Sequence, residues 1–136
     1  MKHFIIVLVM LLIPIIMPSE EKKKLTPQSE EDMMKDMKVY YMVFLTKGPN
    51  RDNSDTAAVM KLQREHLENI DRLHQEGYIA MAGPFIDNQD LRGIFIFDCE
   101  SKEKVDSLVK TDPAIKAGRL DYEIKPWFTK KGVCLP

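Results

Sequence analysis

The chain has 136 residues, 44% of them hydrophobic and 30% charged, and its 20 basic and 21 acidic residues leave a formal net charge of −1. That length allows one domain with a segment to spare, and a body of about 100 residues buries roughly two-thirds of its unfolded surface, enough for a core without staples. Charges of both signs are mixed along the chain with no clustered basic face, so no nucleic-acid partner is expected.

The N-terminus differs in kind from the rest. Lys2 precedes the unbroken apolar run "FIIVLVMLLIPIIM" at residues 4–17. Such a run is short for a bilayer span, and Pro14 interrupts it, so it suits a secretory signal better than a transmembrane helix. The following "IMPSEE" offers no small-x-small cleavage pattern, and no cysteine stands there to carry a lipid. Residues 1–19 are therefore expected to act as a signal peptide or as an uncleaved membrane tether through residues 4–17. Export to a bacterial periplasm or cell envelope is the expectation, while the "EEKKK" after the run leaves the orientation of a tethered form open, since lysines usually stay on the cytoplasmic side. Residues 20–36 read as a polar linker, partly helical near Met33 to Met37, leading into a domain at 37–131 and a tail at 132–136.

Within the domain, "VYYMVFL" (39–45) is a β-branched and aromatic run that stops at the turn cluster "TKGPN", so it predicts a strand. "NSD" (53–55) supplies capping side chains for a long helix beginning "TAAVMKLQREHLENIDRLHQE", and Gly77 stands where that helix should end. "YIAMAGPF" (78–85) and "LRGIFIFDC" (91–99) flank the turn "DNQD" and predict a hairpin. Ser101 caps a second helix, "KEKVDSLVKT", with Glu103 in its first turn. "DPAIKAG" predicts one more helical turn, with Asp112 as cap, Pro113 in the first position and Gly118 as stop. "RLDYEIKPW" (119–127) alternates as a last strand, which Pro126 should break.

The order β-α-β-β-α-β predicts an α+β ferredoxin-like fold, a four-stranded antiparallel sheet with two helices on one face. The other face needs a cover, most simply a second copy of the chain, so a homodimer through the open sheet face is expected. Cys99 and Cys134 either pair in an oxidising compartment or stand apart as a strand-end residue and a tail residue; spacing decides neither.

Two of the three histidines fall in the long helix. With Leu62 set at zero and 100° per residue, Leu73, Val59 and Ile70 define an apolar stripe centred near about 40°. His66 falls at the centre of that stripe and His74 on its edge. His66 is thus aimed at the sheet, and His74 is left half exposed with no role expected. A histidine so placed is either a core residue with one hydrogen bond or a general base. The second reading needs a carboxylate, because burial disfavours a charged imidazole and a neighbouring carboxylate favours it. The candidate is Asp112, whose other role is helix cap. One carboxylate oxygen can cap while the other faces a cavity, but the two residues are 46 apart in sequence and spacing proves no contact.

Gly83 and Pro84 read as punctuation, glycine for close backbone approach and proline to end pairing, with pocket lining second. Tyr40, Tyr78 and Arg92 are strand residues able to line a cavity, as are many others. The methionines, several of them at Met33, Met34 and Met37, are flexible apolar filler rather than a metal site. No zinc-type His/Cys spacing, phosphate-cradling glycine loop, dinucleotide fingerprint or nucleophile elbow is present, so neither metal nor cofactor is expected.

The helix "REHLENIDRLHQEG", then "MAGPF", "TDPAIKAG" and a last strand ending "IKPWF" together resemble the YCII-related family, over about Met37 to Lys131. The resemblance implies a dimeric α+β barrel whose pocket holds a catalytic His and Asp, carried here by His66 and Asp112. Most members have no known substrate; some relatives belong to muconolactone-type and chlorinated-aromatic catabolism. Two departures bear on the substrate. Most members are short and cytosolic, whereas this chain adds the N-terminal segment, and its loop "TKGPNRDNSDT" is long and polar.

Three functions follow. The first is an isomerase or lyase in which His66 removes a proton beside a carbonyl or lactone and Asp112 orients it. The second is a non-catalytic envelope protein that binds an unidentified small molecule in the same pocket. The third is an inert dimerisation module with His66 as core.

Overall fold

The computed structural model describes residues 30–132. The apolar run at 4–17, most of the linker and Cys134 lie outside the described residues. The elements in chain order are α1 (Glu30–Lys35), β1 (Met37–Lys47), α2 (Thr56–Gln75), β2 (Ile79–Pro84), β3 (Leu91–Phe97), α3 (Lys102–Val109), α4 (Pro113–Lys116) and β4 (Leu120–Lys130). The strands form one antiparallel sheet in the order β2-β3-β1-β4. This is the ferredoxin-like α+β arrangement, with both βαβ connections crossing the same face.

Local chemistry accounts for most boundaries. Asp55 caps α2 by accepting from the Ala58 N–H at 3.0 Å. Ser101 caps α3 through the Lys104 N–H at 3.2 Å. At the end of α2 the Tyr78 N–H reaches the Leu73 carbonyl and the Gly77 N–H reaches that of His74, the paired bonds that close a Schellman end.

Two boundaries differ from the sequence expectation. Met37 opens β1 rather than continuing a helix, because the Lys131 N–H bonds the Asp36 carbonyl and the β1–β4 ladder starts at Met37 opposite Lys130. Pairing across the sheet outweighs helix propensity there. Likewise Pro126 does not break the last strand, which runs on to Lys130 with Pro126 opposite Tyr41. β4 is an edge strand, where a residue without an N–H costs no ladder bond when that position faces outward.

The register separates the two faces. Val43 and Leu45 on β1 sit opposite Phe95 or Gly93 on β3 and Ile124 or Tyr122 on β4. These side chains pack under the helices with Leu73, Val105, Leu108 and Val109 as the core. The alternate positions Met42, Phe44, Ile94 and Ile96 are partly buried on the face without helices.

Candidate active site

His66 occupies the middle of α2, on the stripe that also buries Leu73. Its side chain points at the sheet, with the ring centroid 6.2 Å from that of Phe95, and the residue is 8% exposed. His74, by contrast, is exposed, with Nδ1 2.8 Å from the Ile79 carbonyl.

The structure brings His66 and Asp112 together. Nδ1 of His66 lies 2.7 Å from Oδ2 of Asp112, whose exposure is 0%. Oδ1 of the same carboxyl accepts the Ala114 N–H at 2.8 Å and caps α4. Cap and partner are therefore one carboxylate used on both oxygens. The turn that presents it is fastened to α2, since Arg72 Nη2 donates to Asn69 Oδ1 at 2.8 Å and to Thr111 Oγ1 at 3.3 Å. A carboxylate on Nδ1 makes that nitrogen the donor and leaves the Nε2 lone pair as the available base.

His66 lines a cavity of about 410 Å³ between α2, the β2–β3 hairpin and the start of β4. Leu45, Leu67, Ile70, Phe95 and Leu120 supply apolar wall, and Gly83 and Pro84 border it from β2. The tight approach expected at Gly83 falls instead on Gly93, which pairs with the adjacent Pro84 across the ladder. A Cβ added to Gly93 would stand 2.6 Å from the Gly83 carbonyl oxygen, whereas one on Gly83 would meet open space.

Three arginines also line this cavity: Arg51, Arg92 and Arg119. Arg51 comes from the β1–α2 loop, whose Gly48 and Asn50 N–H groups bond the Arg119 and Gly118 carbonyls. Arg119 follows Gly118, which closes α4 with a φ of +69° that side chains rarely adopt. Arg92 is the extra residue of a β-bulge, because Leu45 pairs with Gly93 while Thr46 pairs with Leu91. A bulge of this kind turns a side chain out of the strict alternation of its strand. Burial, then Arg119 and Arg92, hold the Arg51 guanidinium below its ordinary range, with Asp90 opposing more weakly.

The sequence left Arg92 among several unranked strand residues and did not single out Arg51 or Arg119. Of the other unranked residues, Tyr78 borders a separate cleft with Lys38 and Asp98, and Tyr40 lies under the Lys38 ammonium. No group of three or more metal-ligating side chains is found among the described residues.

A model of the YCII-related domain matches residues 39–128. The chain belongs to this family. It is 29% identical to the uncharacterized protein YjpA of Bacillus subtilis strain 168, over 68% of this chain and all of that one. Among solved structures it is similar to 5-chloro-2-hydroxyhydroquinone dehydrochlorinase from Burkholderia phenoliruptrix AC1100, in complex with 2,5-dihydroxybenzoquinone. That match has a TM-score of 0.48 at 23% identity, over 65% of this chain and 92% of the other.

Proposed function

We propose that this YCII-family protein is an enzyme of the lyase or isomerase kind, moving a proton on a small carbonyl or lactone substrate. The observation that carries the reading is the 2.7 Å contact between His66, which lines the 410 Å³ cavity, and Asp112, which is fully buried behind it. In this reading His66 Nε2 takes a proton from the carbon beside the carbonyl and returns it to the product. Asp112 holds the ring in the tautomer with Nδ1–H and stabilises the imidazolium formed on the way. The apolar wall keeps bulk water from the carbanionic intermediate.

The test is hydrogen exchange. Wild-type protein in deuterated water is offered a panel of lactones and 2-oxo acids, and deuterium at the carbon beside the carbonyl is followed by NMR. His66→Gln is expected to lower the exchange rate by about 100-fold or more while its thermal midpoint stays near that of wild type. A wild type that exchanges none of the panel, or a variant as fast as wild type, defeats the reading.

The proposal extends to assembly and place. Met42, Phe44, Ile94 and Ile96 make an apolar stripe on the sheet face away from the helices, and this stripe supports a homodimer through that face. Sedimentation should show a dimer that Phe44→Glu converts to monomer. The apolar run at 4–17 supports export to a periplasm or cell envelope, which N-terminal sequencing of the fractionated protein checks.

A further inference from the structure

The arginines of the His66 cavity are arranged in a way that acid–base chemistry alone does not require. They come from three separate segments, the β1–α2 loop, the β3 bulge and the α4–β4 turn. Each is partly buried, and none makes an ion pair with a carboxylate among the described residues. What holds them is neutral. Arg119 donates to the Asp52 carbonyl at 3.2 Å and to Asn53 Oδ1 at 2.8 Å. Arg92 donates to Asn88 Oδ1 at 2.9 Å and to the Gln89 carbonyl at 3.2 Å. Arg51 reaches the Arg119 carbonyl at 3.5 Å.

The acidic side chains of the same loop are committed elsewhere. Asp52 accepts from the Ser54 N–H at 2.8 Å and the Ser54 hydroxyl at 2.9 Å. Asp55 caps α2. Amide and carbonyl acceptors orient a guanidinium without cancelling its charge, and the Asp90 carboxylate offsets part of that of Arg51 without pairing with it, so the three guanidiniums still present net positive charge to whatever enters. Their mutual repulsion in a half-buried site has a cost, which a bound anion relieves. Arg51 and Arg119 also border the neighbouring cleft beneath the loop. Among the three, Arg92 is therefore the most specific reporter of the His66 cavity.

We propose that Arg51, Arg92 and Arg119 form an anion subsite, so that the molecule bound beside His66 is a small organic carboxylate. The planar fork of arginine matches a carboxylate through two parallel hydrogen bonds. A cavity of this volume takes a molecule of one ring or a short chain beside that group. Placement of an acidic C–H at His66 rests on the acid–base reading above; the anion subsite itself does not.

The probes are benzoate, succinate and inorganic phosphate, each titrated into the full-length chain by calorimetry and by NMR of the arginine Nε–H resonances. Benzamide and succinamide serve as neutral counterparts. The expected result is saturable binding of a carboxylate, at least about tenfold tighter than its amide. Arg92→Met should weaken it at least about tenfold, and Arg92→Lys should recover part of the loss. Arg119→Met should weaken binding likewise, but it also releases the loop, so Arg92 carries the decision. The proposal is overturned if amides bind as well as acids, if Arg92→Met binds as wild type does, or if neither carboxylate binds at tens of millimolar. Phosphate binding without carboxylate binding overturns the assigned ligand class. Probe acids that bind, while the lactone and 2-oxo acid panel exchanges no proton, leave the subsite standing and remove the acid–base reading. Lactones that exchange in a protein indifferent to anions do the reverse.

Discussion

Two carboxylates tie helices to the rest of this molecule, and they do so under opposite conditions. Asp112 sits at the start of α4 with no exposure, one oxygen on a backbone N–H and the other on a buried imidazole. Asp106 sits on α3, with Oδ2 2.5 Å from the Lys110 ammonium and Oδ1 accepting the Tyr122 hydroxyl at 2.6 Å. Its side chain is half-exposed and that of Lys110 is exposed to water. The bond counts are alike, but the worth of each pair is set by what replaces it when it is lost. Water can solvate Asp106 and Lys110 at once, whereas nothing can reach His66 Nδ1 or the Ala114 N–H without opening the core.

The sharpest way to break this comparison is at the buried carboxylate. Asp112→Ala removes a helix cap and strands a buried imidazole nitrogen, and should destabilise the fold by about 3 kcal/mol in denaturant unfolding. Asp112→Asn separates structure from chemistry. The amide oxygen still caps, so the fold should hold to within about 1 kcal/mol. The amide nitrogen, however, donates to Nδ1 and forces the proton onto Nε2. Carbon-bound hydrogen exchange should then fall about as far as in His66→Gln. An Asp112→Asn protein that exchanges like wild type would show that Asp112 is a cap only.

A smaller effect is expected at the floor of the same cavity. In Gly93→Ala the new Cβ meets the Gly83 carbonyl oxygen and lies 3.1 Å from Pro84 Cα, both main-chain atoms. The hairpin must move, at about 2 kcal/mol by thermal or chemical unfolding.

The surface pair should respond least, and with a pH signature. The Lys110 hydrogen bond, then that of Tyr122, hold the Asp106 carboxyl below the usual carboxylate range. Burial, then Asp106, push the Tyr122 phenol up to about 12. The depressed Asp106 contributes stability that is present above an ordinary carboxylate pKa of about 4 and lost as pH falls through its folded value. The raised phenol contributes stability that is present below about 10 and lost as pH rises through its folded value. Tyr122→Phe should therefore cost about 1 kcal/mol between pH 5 and 9, after allowing for water around Asp106, and progressively less toward either extreme. A cost independent of pH would show that Tyr122 acts through packing instead.

The same contrast between local and distant determinants governs how much could be read before the fold was known. The capping cluster at 53–55, the caps at Ser101 and Asp112 and the stops at Gly77 and Gly118 are signals spanning three or four residues, and the structure uses each, taking Asp55 from the cluster. The direction of His66 followed from helical phase alone. The arginines carried no such signal. Arg51 lies in a loop without period, Arg119 directly after a turn, and Arg92 at a strand position whose facing depends on a bulge. That bulge exists only because Leu45 and Thr46 pair with residues two apart on β3.

Amino-acid order by itself determined the elements, their succession and hence the ferredoxin-like sheet, because propensity, capping and hydrophobic period act over a few residues of chain. It also aimed one histidine at the sheet. Tertiary structure alone decided that Asp112 meets that histidine, that Pro126 lies within an edge strand, and that three guanidiniums held by neutral acceptors surround one cavity. Those outcomes depend on strand register and on segments brought together across gaps of tens of residues, and no short-range preference encodes such distances.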